Sequence, residues 1–133
     1  MNDAEFAKQK RRIQVIFKKW QPILRLTGWE FTWQYHRQCL PDAGPNAPRW
    51  EPLGRCTPMW EYKSALVEFV LSSVADLTDD ELEGHIVHEL VHVLVNELKE
   101  YDMERPETVK HEERVVTEVT WAFLALARRK EKK

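Results

Sequence analysis

The chain has 133 residues, 22 acidic side chains against 20 Lys and Arg, and a formal net charge of −2 at pH 7. This length suits one compact domain spanning residues 1–133, and 43% hydrophobic with 32% charged residues is ordinary for a globular protein. The balanced charge provides no broad basic field. We therefore expect neither nucleic acid nor an acidic membrane surface as a partner.

The amino terminus and the cysteine content bear on the compartment. Residues 1–12 are polar and lack the apolar core of a secretory signal, and no stretch approaches the roughly 20 apolar residues of a membrane span. Two cysteines, Cys39 and Cys56, are too few for a disulfide framework. We expect a cytoplasmic protein with reduced thiols. The alternative is that Cys39 and Cys56 pair, if the loop between them folds back.

The first 24 residues show the periodicity of an amphipathic helix. Its stripe, at alternating spacings of four and three, consists of Phe6, Lys10, Ile13, Phe17, Trp20 and Leu24. Lys10 is the polar exception. Pro22 is expected to kink or restart the helix, and Thr27-Gly28 to end it.

The middle of the chain alternates apolar and polar residues with the period of a strand. One face carries Trp29, Phe31, Trp33 and Tyr35, and a second strand runs from Ala65 to Leu71. Residues 37–54 are rich in proline and glycine and predict a loop, while residues 55–62 suggest a third strand. Because no helix-length crossover separates these strands, we expect a small antiparallel sheet of two to three strands.

Two further helices are predicted after the strands. Thr78 and Glu81 have the spacing of a capping box, and Leu77 and Leu82 have that of a hydrophobic staple. This helix should continue to about Lys99. A last helix should begin near Pro106 and bury Val115, Val116, Val119, Ala122, Phe123 and Leu126. The predicted class is α+β: an N-terminal helix, a small sheet and two C-terminal helices.

The segment His88-Glu89-Leu90-Val91-His92 carries the chemistry. Two histidines four residues apart project from one face of a helix, so both imidazoles can bind one Zn²⁺ ion. Glu89 can then accept the proton of a metal-activated water as it attacks a carbonyl. The alternative is a pair of core histidines satisfied by neighbouring carboxylates. A polar triad within an Ile, Val and Leu-rich segment favours the metal site, because burying such groups is costly unless something satisfies them.

A zinc site of this kind needs a third protein ligand. Glu113 shares a helix face with Val116, Thr117 and Thr120, so it points inward if the valines do. Glu112 is the second candidate and Glu118 the third. For Glu112 and Glu118 we favour a solvated helix face.

This arrangement resembles the minimal gluzincin metallopeptidases, particularly the small metallopeptidases encoded by phages and prophages. The resemblance spans the Trp29–Trp33 strand, the region of Cys56, the Ala65–Leu71 strand, residues 84–92 and residues 112–116. Only the HExxH motif is highly specific. The resemblance implies that His88, His92 and Glu113 are zinc ligands and that Glu89 is the catalytic acid/base.

The sequence also departs from the gluzincin pattern. That family often has an acidic residue four after its glutamate ligand, oriented to a ligand histidine. Here the position is Thr117 when counted from Glu113, and Val116 when counted from Glu112. Thr117 could accept a hydrogen bond from an imidazole and Val116 could not, which favours Glu113. Candidates for the donor that stabilises the oxyanion are His85, Tyr101 and His111.

Two classes of function follow. The first is a zinc metallopeptidase, a hydrolase acting on a peptide or protein that adds to the edge of the strand nearest the motif. The second is a non-enzymatic binding module in which zinc is a structural clamp. Glu89 favours the first class, because a clamp needs no unliganded glutamate beside its ligands. A DNA-associated protease of the SprT type is disfavoured, because no cysteine-rich zinc ribbon or basic tract accompanies the motif.

Overall fold

The computed structural model describes residues 1–38, 53–96 and 106–131, with the side chains of residues 106–108 excepted. They form an α+β fold, as predicted. Among the described helices, none has an 18-residue stretch apolar enough to cross a bilayer. The elements in chain order are α1 (Asp3–Ile23), β1 (Glu30–His36), β2 (Gly54–Met59), a 3-10 turn (Trp60–Tyr62), β3 (Ser64–Val70), α2 (Leu71–Val74), α3 (Asp79–Val95) and α4 (Pro106–Glu131).

The described sheet has three strands in the order β1-β3-β2 and is mixed. β2 pairs antiparallel with β3, but β1 runs parallel to β3, with Glu30 opposite Ser64 and His36 opposite Val70. The prediction of an antiparallel sheet is therefore wrong for this pair. A parallel connection needs only about a dozen residues, and residues 37–63 supply more than that. The predicted third strand is confirmed as β2.

Helix α1 packs its predicted stripe on the core. Ile13, Phe17 and Trp20 are buried, but Gln9 occupies the buried position next to Lys10, which is exposed. The helix ends at Ile23, so the end predicted at Thr27-Gly28 is wrong. Arg25 adopts φ 61°, and the N–H groups of residues 25 and 26 donate to the carbonyls of Pro22 and Gln21, respectively. This is a Schellman ending built on arginine in place of the usual glycine.

Helix α3 begins as its sequence predicts. Thr78 accepts a hydrogen bond from the backbone N–H of Glu81, and the Glu81 carboxylate accepts one from the backbone N–H of Thr78. Arg12 on α1 donates to the Asp79 side chain and to the carbonyls of Val74 and Leu77. The cap is thereby fixed to α1. Helix α3 is described as far as Val95, so the predicted end at Lys99 lies outside the described residues.

Helix α4 begins at Pro106, as predicted, and packs against α3. Val116, Thr120 and Leu124 form its buried stripe. Val119 and Phe123 are half-buried, whereas three residues predicted to point inward are exposed: Val115, Ala122 and Leu126. The helix therefore packs through a narrower face than its apolar composition suggested.

A buried carboxylate connects the helices. Glu83 on α3 accepts hydrogen bonds from Trp20 Nε1 at 2.9 Å and from Lys19 Nζ at 3.0 Å. Arg128 on α4 lies 3.9 Å away. Burial alone would raise the pKa of Glu83, but these donors and charges outweigh it and hold the pKa below its usual value.

Candidate metal centre

The two histidines of the motif and Glu113 converge at the seam between α3 and α4. His88 Nε2 and His92 Nε2 lie 3.2 Å apart. The Glu113 carboxylate places Oε2 3.3 Å from His88 Nε2 and Oε1 3.0 Å from His92 Nε2. One ligand atom from each residue lies within 4.8 Å of the others, so the cluster could hold a metal ion.

These separations can be compared with those that a metal requires. Zinc bonds to histidine nitrogen and carboxylate oxygen are about 2.0–2.2 Å, which places neighbouring ligands of a tetrahedral site about 3.3–3.5 Å apart. The separation of the two imidazole nitrogens, 3.2 Å, is close to this value, and each of them lies 3.0–3.3 Å from a different oxygen of Glu113. Two imidazoles and one carboxylate are also a donor set that suits zinc. The residue types fit the ion, and one Glu113 oxygen would shift to bind it together with both rings.

Glu112 lies on the opposite edge of the His92 ring. Its Oε1 is 2.9 Å from His92 Nδ1, and its side chain is only 7% exposed. Because a carboxylate only accepts, Glu112 can hydrogen-bond this edge when Nδ1 carries the ring proton, and that tautomer would leave the Nε2 lone pair for a metal. The expectation that Glu112 lies on a solvated helix face is therefore wrong.

The electrostatic surroundings favour a neutral His88. Burial lowers the pKa of His88, and the neighbouring His92 lowers it further, while Glu113 opposes the change. An imidazole binds a metal only in its neutral form. The surroundings of His88 thus favour the state that coordination requires.

Glu89 points into a second part of the site, a pocket of about 330 Å³ between α3, α4 and β2. His88, His92 and Glu113 line the same pocket, but Glu89 is outside the three-residue cluster. Burial raises the pKa of Glu89 to about 7, Glu113 raises it as well, and His92 opposes them. Glu89 is therefore a carboxylate beside the cluster rather than a member of it.

β2 forms the far wall of this pocket. Gly54, Cys56 and Pro58 line it, and β2 pairs only with β3 within the described residues. Val70 N–H donates to Leu53 C=O at 2.9 Å, so these two residues form a hydrogen-bonded pair. Hydrogen-bonded and non-hydrogen-bonded pairs alternate from there along β2 and β3. Residues 54, 56 and 58 then direct their backbone groups to the outer edge. Proline, which has no N–H, is tolerated at such an edge.

Cys56 lies in the pocket wall, and its thiol is not a strong ligand candidate. Burial raises the pKa of the thiol, and the Glu89 charge adds to the effect. A protonated thiol binds metals weakly. Cys39 lies outside the described residues, and its alternative pairing with Cys56 stays a prediction.

An ionic network behind the pocket was missed by the sequence reasoning. Glu68, 2% exposed on the central strand, binds Arg55 of β2 and contacts His36 of β1 at 3.1 Å. Arg55 also lines the pocket. Burial would raise the pKa of Glu68, but hydrogen bonds from Arg55 and His36 outweigh it and lower the pKa. No local signal could have identified this network, because it depends on strand register.

The other candidates lie elsewhere. Glu118 and Thr117 are exposed, and Thr117 lines a neighbouring groove instead of meeting an imidazole edge of the cluster. His111 is exposed, and His85 lies on the same groove as Thr117. Tyr101 lies outside the described residues. The structure thus assembles His88, His92, Glu113 and Glu89, and adds Glu112.

Comparison with known proteins gives no match: no family model, no curated protein and no solved structure is similar to the chain. The resemblance to gluzincins therefore stays a prediction from the sequence.

Proposed function

We propose that this protein is a zinc-dependent metallopeptidase, with His88, His92 and Glu113 as zinc ligands and Glu89 as the general base. The observation that carries the proposal is the convergence of three ligand atoms within 4.8 Å, beside a carboxylate that is outside the cluster. When bound, zinc would supply a Lewis acid that activates water and polarises the scissile carbonyl.

The residues of the chain would perform the proton transfers. Glu89 accepts the proton of the water whose oxygen bonds to the carbonyl carbon. It then returns that proton to the amide nitrogen as the carbon–nitrogen bond breaks, so that an amine and a carboxylic acid leave. Glu112 holds the ring of His92 in the tautomer that presents Nε2. The outer edge of β2 offers backbone groups with which an extended peptide can pair across the pocket.

The openness of the site favours catalysis over a structural clamp. Structural zinc sites are closed by four protein ligands, whereas catalytic sites keep a position for water or substrate. Here three ligand residues face a pocket, and the side chains of His88 and Glu113 are 26% and 53% exposed. A clamp would also have no use for Glu89.

The first experiment measures metal content in protein purified without a histidine tag. We expect about one zinc per chain, lost in His88→Ala together with the part of the stability that metal binding supplies. Absence of zinc, with no uptake when it is added, would refute the metal site.

The second experiment separates the base from the ligands. Glu89→Gln should retain zinc and fold normally, yet lose about 10²–10⁴-fold in cleavage of any peptide that the wild type cleaves. Glu118→Gln, an exposed glutamate on α4, is the matched control and should behave as wild type. Loss of zinc in Glu89→Gln would contradict the proposed role. A zinc-loaded wild type that cleaves no peptide of a broad library would favour the clamp.

A further inference from the structure

The charges of the chain are divided unevenly along the sequence. Residues 6–29 contain seven Lys and Arg side chains and no Asp or Glu, whereas the whole chain has 20 basic and 22 acidic side chains. The remainder of the chain therefore has 13 basic side chains against 22 acidic ones. The net charge of −2, on which the expectation of no nucleic-acid partner depends, conceals this division. Six of the seven cations lie on α1.

Three of these cations form a row on the solvent side of α1. Lys8, Arg11 and Lys18 are exposed, and their spacing places them on the side of the helix opposite the residues that pack on the core. Lys18 is ten residues after Lys8, so at 1.5 Å per residue the row is about 15 Å long. We refer to this surface as the outer face of α1; it consists of Lys8, Arg11, Val15 and Lys18.

The outer face is not neutralised by the described part of the chain. Two other cations of α1, Arg12 and Lys19, pair with carboxylates of α3 and α4. The three cations of the outer face have no carboxylate partner within residues 1–38, 53–96 and 106–131. The row therefore presents three positive charges to solvent that these residues do not compensate.

Helix stability does not account for the row. Like charges three or four residues apart destabilise a helix, and Lys8 is three residues before Arg11 and four before Arg12. Cations stabilise a helix in its last turn, where they complement the dipole, but the last turn of α1 contains none. An anionic partner would offset the repulsion within the row.

The outer face has the composition that a phosphate backbone requires. Val15, 69% exposed, is its one apolar residue, so the face offers no large apolar anchor to a protein partner or to a bilayer. Phe17 and Trp20 of α1 are buried and provide no surface on which the bases of a single strand can stack. Binding to duplex phosphates needs only cations, because the release of condensed counterions drives it.

We infer that the outer face of α1 binds the phosphate backbone of duplex nucleic acid without preference for sequence. A duplex carries about one negative charge per 1.7 Å of its axis, so a row of about 15 Å has several phosphates within reach. The described residues that line the pocket of the metal centre include none of α1, so the two surfaces are separate. The inference goes beyond the proposed function and does not depend on it.

Fluorescence anisotropy measures the binding. The full-length protein is titrated into a short fluorescein-labelled duplex at several KCl concentrations, once with zinc and once with a chelator. Three phosphate contacts predict that the logarithm of the association constant falls against the logarithm of the salt concentration with a slope of about −2.7. The result should be the same with and without zinc, so failure of the proposed peptidase leaves this test intact. A slope near zero, or binding that requires zinc, would overturn the inference.

Removal of single charges locates the contact. Lys8→Gln, Arg11→Gln and Lys18→Gln should each reduce the magnitude of the slope by about 0.9 and weaken binding about 10-fold at about 50 mM salt. The triple variant should lose salt-dependent binding yet melt at or above the wild-type temperature, because it removes repulsion from the helix.

A second triple variant is the matched control and should bind as wild type. It removes the same charge from exposed cations outside α1: Lys63→Gln, Lys110→Gln and Arg114→Gln. An equal loss of binding in the control would overturn the inference, because binding would then follow the net charge alone.

Two further ligands separate a duplex from other anions. A single strand of the same length should bind more weakly than the duplex, because the outer face has no aromatic side chain. Vesicles of phosphatidylcholine and phosphatidylserine should bind more weakly as well, because no large apolar side chain of the outer face can enter the bilayer. Tighter binding to the single strand or to the vesicles than to the duplex would overturn the inference.

Discussion

The contact between Glu112 and His92 leads to a quantitative prediction for metal affinity. The 2.9 Å contact to His92 Nδ1 is made by a side chain that is 7% exposed, so water replaces it poorly. Glu112→Gln keeps the size of the side chain but removes the charge that favours the Nδ1-protonated ring. Loss of such a partner typically lowers metal affinity 10–100-fold, or about 1.4–2.7 kcal/mol.

The lower metal affinity of Glu112→Gln should also reduce the amount by which metal raises the free energy of unfolding. Metal at 100 times the wild-type Kd stabilises the folded state by about 2.7 kcal/mol. At that metal concentration, metal should raise the free energy of unfolding by about 1.4 kcal/mol in a variant that binds it 10-fold more weakly. In a variant that binds it 100-fold more weakly, the rise should be about 0.4 kcal/mol. The metal-induced rise in the free energy of unfolding is thus reduced by an amount that the measured Kd predicts.

Competition with a chromophoric chelator gives the Kd, and urea unfolding with and without zinc gives the stability gain. Glu118→Gln, on the exposed face of the same helix, is the control and should match wild type in both. Glu113→Ala should lose affinity far more severely, because it removes a ligand atom. Wild-type affinity in Glu112→Gln would refute the role given to Glu112. Loss as complete as in Glu113→Ala would make Glu112 a ligand.

Three further predictions concern the framework around the site. Gly54→Ala should lower the free energy of unfolding by about 1–3 kcal/mol, because its Cβ would lie 2.6 Å from the Glu68 carbonyl oxygen. Gly28→Ala is the control: its Cβ would meet nothing within 4 Å, so it should be neutral in the same urea titration. Glu83→Gln should cost about 1–3 kcal/mol at pH 7. Because the folded-state pKa of Glu83 lies below its usual value, that difference should shrink as the pH falls below about 4.5 and through the folded-state pKa, and a pH-independent difference would contradict this reasoning. Val116→Ala and Val67→Ala both truncate buried valines and should each destabilise the protein by about 1–3 kcal/mol. Only Val116→Ala loosens the packing of α4 on α3, so it alone should also weaken zinc binding in the chelator assay.

Features set by neighbouring residues could be predicted from the sequence. The cap of α3 needs only Thr78 and Glu81, three residues apart, and both hydrogen bonds form. The alternation from Trp29 to Tyr35 placed one face of β1 on the core for the same reason. The spacing of His88 and His92 fixed their common face, because four residues are about one helical turn.

Features set by distant residues could not be predicted in the same way. The parallel pairing of β1 with β3 depends on the path of residues 37–63, which local alternation does not specify. Helix α1 ends at Ile23 because Arg25, a non-glycine residue just beyond it, takes the left-handed conformation, whereas the sequence signal was Gly28. The Arg55–Glu68 pair required the register of two strands before it could be recognised.

The assignment of the two consecutive glutamates shows how the docking of α4 determines the site. Val116 is buried, and residues three and four before it on a helix share its face, so the sequence places both Glu113 and Glu112 near the seam. Neighbouring residues differ by about 100° around the axis, which lets them approach opposite edges of one ring. Glu113 meets His92 Nε2, and Glu112 meets Nδ1. When the metal alone is considered, the two glutamates are competitors for one role. Once the His92 ring lies between them, the two carboxylates have different and compatible partners: one completes the cluster and the other fixes the tautomer that the cluster needs.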